Sequence, residues 1–238
     1  MAIRCSRICW ERSSVSDFKT PMSVGEMSPA TADLIIEDVV ATVLDITVAA
    51  WPHVCQSNRV GPTKKENDIT DCLRWEMVAE KNRRNPPPQL RFERETQRDD
   101  PEKRHPTGLI DVYVIYSLDE ADYFAMECKK VTDRHTRRAD YYVREGVCRF
   151  SSGKYSAGHP YGAMIAFVTG GTAKAAAGFL EKKVTDLDKN ATRLKPIWGW
   201  KTETRFGDLP NLFSTKHGQE GTNNTILLLH LFLPFAVQ

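Results

Sequence analysis

The stretch LIDVYVIYSLDEADYFAMECKKV, residues 109–131, carries the clearest fold signal in this chain. Its two halves, 109–116 and 123–131, are rich in apolar and β-branched or aromatic residues, and a short polar turn separates them. Runs of this kind joined by a short turn are typical of two antiparallel strands. We therefore predict a β-hairpin at the centre of the chain.

The register of this hairpin brings two carboxylates together. With the turn centred on Asp119, Asp111 lies directly opposite Glu127, and their Cβ atoms are expected about 5 Å apart. Lys129 shares a face with Glu127, because side chains two residues apart on a strand point the same way. Facing carboxylates repel one another unless a cation neutralises them. Mg²⁺ prefers oxygen ligands and can activate water, so the arrangement suits metal-assisted phosphodiester hydrolysis.

The segments around the hairpin alternate between helical and extended patterns. Apolar residues at helical spacing, or composition typical of helices, predict four helices: 33–50, 63–81, 132–150 and 172–187. Alternating or wholly apolar runs predict further strands: 90–97, 163–168, 196–204 and 225–232, with a loop between the last two. Together these elements predict an α/β fold, with a mixed central β-sheet flanked by helices.

Length and composition favour a single globular domain. The chain has 238 residues, of which 41% are hydrophobic and 27% are charged. These values exclude a disordered chain, a collagen-like repeat and a disulfide scaffold. We expect residues 1–30 to form a loosely ordered tail. Residues 31–238 are expected to form one domain, with a core at about 63–170 and a C-terminal extension at 171–238.

The charge, the cysteines and the apolar runs bear on location. The net charge of +2 does not by itself indicate a polyanionic partner. The six cysteines contain no C-x-x-C pair, and no secretory signal precedes them, so we expect reduced thiols. The longest apolar run, 226–232, falls short of the roughly 20 residues of a membrane helix. The expectation is a cytoplasmic protein without a membrane partner.

Asp111, followed after fifteen residues by Glu-Cys-Lys at 127–129, resembles the PD-(D/E)xK core of restriction-endonuclease-like nucleases and Holliday-junction resolvases. The element order over about residues 63–170 is also similar: a helix, the hairpin, a basic helix and a buried strand. Ile110 stands where the family's motif has proline, a position without a catalytic group. The resemblance implies a restriction-endonuclease-like α/β/α core.

The same resemblance implies roles for individual residues. Asp111, Glu127 and the backbone carbonyl of Cys128 would bind Mg²⁺, for which Mn²⁺ is expected to substitute. Lys129 would lie beside the attacking water. The catalytic set implied by the resemblance also includes a carboxylate from the preceding helix, which would add a metal or water contact.

Two residues compete for that additional carboxylate. Glu66 is preferred, on the face of the helix that carries Ile69 and Leu73, and Glu76 is the alternative. Each also has an ordinary structural explanation. Glu66 closes a capping box with Thr63, which requires no catalysis, and Glu76 fits a solvated helix position.

The segment 129–154 is basic, with eight Lys or Arg residues against three acidic residues. Next to a phosphodiester-cleaving site, such residues would hold the nucleic-acid backbone without reading its sequence. Arg144, Arg149 and Lys154 are the preferred phosphate contacts, and a solvated helix face is the alternative. Gly146, unusual within a helix, suggests a close backbone approach.

Other polar and aromatic side chains are expected to have structural roles. His135 and His159 are expected on the surface beside the basic helix. Trp198 and Trp200 alternate on one strand and are expected in core or interface packing. The C-terminal third offers no partner for its two remaining histidines, His217 and His230.

The function expected from these features is Mg²⁺-dependent cleavage of DNA by an endonuclease. RNA stays open as a substrate, because both polymers present phosphates. The resemblance implies a homodimer, or work beside a helicase- or ATPase-type or other subunit, and a role in bacterial defence against phage or other foreign DNA is the expected context. The alternatives are a catalytically silent nucleic-acid-binding or assembly subunit, and a structural protein in which Glu127 and Lys129 form a surface charge row.

Overall fold

The computed structural model describes residues 29–84, 90–94, 110–117, 122–190, 195–221 and 223–235. The helices are α1 (Pro29–Gln56), α2 (Glu66–Arg84), α3 (Thr136–Tyr142), α4 (Cys148–Ser151) and α5 (Ala173–Asn190), and a π-helical turn (Val143–Val147) joins α3 to α4. The strands are β1 (Arg91–Glu93), β2 (Val112–Ile115), β3 (Tyr123–Val131), β4 (Tyr161–Val168), β5 (Lys195–Thr202), β6 (Leu212–Gly218) and β7 (Thr225–Pro234).

These strands form one seven-stranded sheet in the order β1-β2-β3-β4-β7-β6-β5. The central strands β3, β4 and β7 are parallel, and the flanking strands pair antiparallel. Buried side chains of α1 and α2 pack on one face of the sheet. Those of α3, α4, α5 and the π-helical turn pack on the other. The predicted α/β fold with a mixed central sheet is confirmed.

The hairpin has the predicted register. Val112 pairs with Met126 and Tyr113 pairs with Ala125, so the numbering centred on Asp119 is correct. Asp111 immediately precedes β2 and continues this register to the level of Glu127. Alternation and the position of the turn together predict this register, because a one-residue slip would move every apolar side chain to the opposite face.

Helix α1 is longer than the predicted 33–50. Its segment Ile36–Gln56 is long and apolar enough to cross a membrane, judged by length and composition alone. Val43 and Leu44 are fully buried in the protein core, and the indole of Trp51 donates a hydrogen bond to the Pro234 carbonyl over 2.7 Å. A core helix of a folded domain meets the same criterion.

The C-terminal third contains the main correction to the sequence-based organisation. Strand β7 lies between β4 and β6, so residues after 171 complete the central sheet and do not form an extension. Strand β6 occupies a segment that the sequence analysis assigned to a loop. Ser214 and Thr215 are adjacent and both buried, which obscures the alternating pattern of an ordinary strand. Pairing with β5 and β7 stabilises β6 despite this composition.

The remaining differences concern boundaries. Helix α2 begins at Glu66 and not at Thr63, and the predicted basic helix is divided into α3, the π-helical turn and α4. Of the predicted tail, residues 1–28 lie outside the described residues, as do the proline-rich segment 85–89 and the charged turn within 95–109.

Candidate active site

Three carboxylates surround the ammonium group of Lys129. Its Nζ atom lies 2.6 Å from Oε1 of Glu127, 3.3 Å from Oε1 of Glu66 and 3.8 Å from Oδ2 of Asp111. The side chain of Glu127 is 1% exposed and that of Lys129 is 10% exposed. The four residues, which we call the carboxylate cluster, come from the start of α2, the start of β2 and the middle of β3. Glu76, ten residues further along α2, is outside this set of contacts.

The edge of β3 explains why two of these carboxylates lie there. Strand β2 begins opposite Met126, so the second half of β3 extends beyond it. The backbone N–H of Cys128 donates to Oδ2 of Asp111 over 2.8 Å, and that of Lys130 donates to Oε2 of Glu66 over 2.7 Å. Alternate amides on one strand edge are thus satisfied by side chains in place of a neighbouring strand.

The contacts of Glu66 connect α2 to the sheet. Both carboxylate oxygens of Glu66 are engaged by β3, one by the Lys129 ammonium and the other by the Lys130 amide. The residue is the first of α2, where a negative charge also interacts favourably with the helix dipole. Glu66 therefore joins α2 to the edge of the sheet.

Burial and the neighbouring charges shift the pKa values of the ionisable groups in the carboxylate cluster. Burial raises the pKa of Glu127 to about 7, and the nearby charge of Asp111 adds to the effect despite Lys129 and Arg149. Burial likewise raises the pKa of Asp111, against the attraction of Lys129. For Lys129, burial acts to lower the pKa, but the charges of Glu127, Glu66 and Asp111 outweigh it and raise the pKa. The lysine is a permanent cation here, and the two carboxylates retain protons more readily than usual.

Arg149 is a member of the site that the sequence analysis placed differently. Its Nη1 lies 3.1 Å from Oε1 of Glu127 and donates to the Tyr155 hydroxyl over 2.7 Å. Its Nη2 lies 3.1 Å from Oε2 of Glu145. The guanidinium predicted to contact phosphate is therefore directed at the carboxylate of Glu127. A helix pattern could not reveal this contact, because the π-helical turn changes the side-chain directions after Val143.

The π-helical turn brings its backbone against the sheet at Gly146. A Cβ atom at this position would lie 2.3 Å from Cε of Met164 and 3.9 Å from Cγ of Glu127. The close approach suggested by Gly146 is therefore present. The other two predicted phosphate contacts, Arg144 and Lys154, are exposed and lie outside the carboxylate cluster, and their role stays a prediction.

The chemistry of the donors fits a hard divalent cation. Within the described part of the chain, no three His, Cys, Asp or Glu side chains are spaced as a ready metal site, since the carboxylates are centred on the Lys129 ammonium. Oε2 of Glu127 is nevertheless buried and has no hydrogen-bond partner. Asp111, Glu127 and the Cys128 carbonyl supply only oxygen atoms, as Mg²⁺ requires. An unsatisfied buried carboxylate oxygen is an acceptor that a cation would satisfy.

The C-terminal histidines have structural partners that the sequence could not identify. His230 accepts or donates at both ring nitrogens, 2.8 Å from the Tyr142 hydroxyl and 2.8 Å from Oγ1 of Thr215. The same Oγ1 lies 2.7 Å from Nε2 of His217. The Trp200 ring stacks on His230 at 4.5 Å, which supports the expected core packing of this tryptophan.

The two histidines beside the basic helix differ from each other. His135 is exposed, and its Nδ1 accepts from the Arg138 amide over 3.4 Å at the start of α3. The His159 ring lies 4.4 Å from that of Tyr123, and burial lowers its pKa. The surface position is thus confirmed for His135, whereas His159 is partly covered.

Comparisons of the chain with protein-family models, with curated proteins and with solved structures found no match. The likeness to PD-(D/E)xK nucleases therefore depends on the residues of the carboxylate cluster and on the element order around them.

Proposed function

We propose that this protein is a Mg²⁺-dependent nuclease of the PD-(D/E)xK type that hydrolyses phosphodiester bonds in DNA. The observation that carries the proposal is the carboxylate cluster, in which Glu127 is 1% exposed and keeps one buried oxygen without a partner. Burying several ionisable groups is costly. Perturbed titratable groups collected at one place are a feature of catalytic sites.

Each residue has a role in this proposal. Asp111, Glu127 and the Cys128 carbonyl would hold the ion, which when bound polarises a phosphoryl oxygen and lowers the pKa of water. Lys129, a permanent cation, would orient the attacking water and stabilise the charge that develops on the phosphate. Glu66 holds the lysine from the side of α2, 3.3 Å away.

Arg149 would position Glu127. Its contact is to Oε1, and the other carboxylate oxygen, Oε2, is buried without a hydrogen-bond partner, which is the acceptor that a bound ion would satisfy. Glu145 and the Tyr155 hydroxyl hold the guanidinium in turn. A fixed ligand is favourable, because its orientation does not have to be paid for at each binding event.

One observation favours a second candidate, a catalytically silent nucleic-acid-binding or assembly subunit. Oε1 of Glu127 is already contacted by two cations, Lys129 and Arg149. Such a carboxylate can be stable without any metal, so the cluster would then serve only to join α2, β3 and the helical layer. Metal binding separates this candidate from the nuclease.

The nuclease proposal extends to the location, the assembly and the biological context of the protein. We propose action in the cytoplasm, as a homodimer or beside a helicase- or ATPase-type or other subunit, in bacterial defence against foreign DNA. RNA as the alternative substrate is addressed by the same cleavage assay.

The test is cleavage of supercoiled plasmid and of single-stranded DNA and RNA, in Mg²⁺ and in Mn²⁺. Wild type is compared with Glu127→Gln, which keeps the side-chain shape, and with Glu181→Gln as a control at an exposed position on α5. Metal-dependent cleavage that is lost only in Glu127→Gln is the expected result.

Calorimetric titration with Mn²⁺ supplements this assay. Binding that disappears in Glu127→Gln supports the nuclease even if a partner subunit is needed for activity. Absence of both cleavage and Mn²⁺ binding in the wild type would contradict the nuclease and favour the silent subunit.

A further inference from the structure

A groove of about 310 Å³ opens directly beside the carboxylate cluster. It is lined by residues from α2, β3 and the α3 region: Glu66, Lys129, Lys130, His135, Arg137, Arg138 and Tyr141. Glu66 and Lys129 belong to both the groove and the cluster, so a molecule bound in the groove would adjoin the proposed catalytic residues. A cavity of this size can hold a nucleotide-sized group.

The groove is strongly cationic. Four Lys or Arg residues line it against one carboxylate, that of Glu66. Lys129 is compensated by the carboxylates of the cluster, so Lys130, Arg137 and Arg138 supply the excess positive charge. Nζ of Lys130 donates to the Lys64 carbonyl over 2.6 Å, and Nη1 of Arg138 donates to Oγ1 of Thr169 over 2.6 Å. Both acceptors are uncharged, so these contacts orient the cations without neutralising them.

An exposed aromatic ring, that of Tyr141, lines the groove. The side chain of Tyr141 is 52% exposed, and one of only two large hydrophobic side chains so exposed in the part of the chain that the structure describes. The Arg137 guanidinium lies 5.9 Å from the ring centroid. Tyr141 also lines an adjoining cavity of about 320 Å³, together with Arg137, Arg144 and the acidic residues Asp140 and Glu145.

We propose that this groove binds an unpaired nucleotide next to the scissile phosphate, with the phosphate among Lys130, Arg137 and Arg138 and the base against the ring of Tyr141. The protein's substrate would accordingly be single-stranded DNA or a single-stranded region of DNA. The assignment deepens the nuclease proposal and rests on it for the position of the scissile phosphate.

The geometry of base stacking favours a single strand over a duplex as the ligand of the groove. In a duplex, neighbouring base pairs cover both faces of each base, so a ring at the wall of a groove cannot stack on it. Proteins that bind single strands combine a basic channel with aromatic rings on which bases stack. The groove holds both components within the span of a few side chains.

Binding is tested in a chelator, so that it is measured without hydrolysis. A labelled oligonucleotide is titrated by fluorescence anisotropy as a single strand, as a duplex and as RNA of the same sequence. Wild type is compared with Tyr141→Ala, and with Trp75→Ala as the matched control. Trp75 is 60% exposed on α2 and also lies beside an arginine, Arg74.

The expected result is tighter binding of single-stranded DNA than of duplex, and a loss of about tenfold or more in Tyr141→Ala that Trp75→Ala does not show. Arg137→Gln should weaken binding and reduce its salt dependence. Arg134→Gln, an exposed neighbour on the same segment, should do so less.

Equal affinity for single strand and duplex, or an unchanged affinity in Tyr141→Ala, would overturn the inference, even if the protein cleaves DNA. A clear preference for RNA would overturn the assignment to DNA. Single-strand binding that depends on Tyr141, in a protein that neither cleaves DNA nor binds Mn²⁺, would support the groove and count against the nuclease alone.

Discussion

Nζ of Lys129 lies 2.6 Å from Oε1 of Glu127, and the two side chains share one face of β3 with little solvent around them. A buried ion pair gains from its close geometry, but removing one partner leaves an uncompensated charge. Asp111 and Glu66 add two further carboxylates around the same ammonium. The lysine is therefore the central cation of the cluster, whatever else the cluster binds.

Replacing that cation should destabilise the fold. Lys129→Met keeps the aliphatic part of the side chain but leaves Glu127 and Asp111 buried without the ammonium group, and we expect a loss of about 3 to 5 kcal/mol in the free energy of unfolding. Urea denaturation measures this loss, with Lys182→Met on the exposed face of α5 as the control. The double variant Lys129→Met/Glu127→Gln should recover part of it. Full stability of Lys129→Met would show that the cluster is solvated.

Stability should depend on pH through Glu127. The pKa of its carboxyl is raised to about 7 in the folded state, so between about pH 4.5 and 7 the folded protein keeps a proton that the unfolded chain loses. This group therefore favours folding at low pH, and its contribution declines as the pH rises through 7. Without divalent cations, the free energy of unfolding of the wild type relative to Glu127→Gln should fall by about 2 to 3 kcal/mol from pH 5 to pH 8.

The comparison with Glu127→Gln is needed because buried histidines act in the opposite direction. Burial lowers the pKa of His217 to about 4, which destabilises the folded state as the pH falls below the ordinary value of histidine. Both proteins share this effect, so it cancels in the difference. Parallel pH profiles would contradict the raised pKa of Glu127.

The close packing at Gly146 predicts a cost for a single methyl group. In Gly146→Ala the new Cβ would meet the end of the Met164 side chain at 2.3 Å, so Met164 must move within a full core. The overpacking cost is partly offset because the end of the Met164 side chain is flexible and alanine favours helix over glycine, so we expect a net loss of about 1 kcal/mol in thermal or urea unfolding. Gly178→Ala in α5 is the control, because nothing lies within 4 Å of its Cβ position and it should be neutral or stabilising.

Two carboxylates on α2 should differ in their effect on catalysis. Glu66→Gln removes the charge 3.3 Å from the Lys129 ammonium, and we expect cleavage to fall about 10- to 100-fold, as for residues that orient a site. Glu76→Gln, on the same helix and outside the cluster, should cleave as the wild type does. The cleavage rate at saturating Mg²⁺ decides between them, and the reverse order of effects would transfer the role to Glu76.

The hairpin shows how much of this protein could be predicted from local sequence. A strand has a period of two residues, and centring the short turn on Asp119 predicts the register of β2 on β3 and the opposition of Asp111 and Glu127. The fully apolar β4 and the helical periods around it are equally local signals. From these, the α/β class followed.

The strand order of the sheet and the position of Glu66 depend on contacts between distant parts of the chain. The place of β7 between β4 and β6 depends on pairing across the whole sheet, and β6 pairs on both sides, with β5 and with β7. Glu66 reaches the Lys130 amide across 64 residues of chain. No local pattern encodes such a distance, because it results from how α2 packs on the sheet.

The direction of Arg149 had the same origin. The residues alone indicated a basic helix, and a basic helix presents its arginines to solvent and phosphate. In the structure, Arg149 lies in the short helix that follows the π-helical turn, and its guanidinium contacts Glu127. Local sequence therefore predicts which charged groups lie on the hairpin, whereas burial and packing between distant parts of the chain select the further groups that surround them.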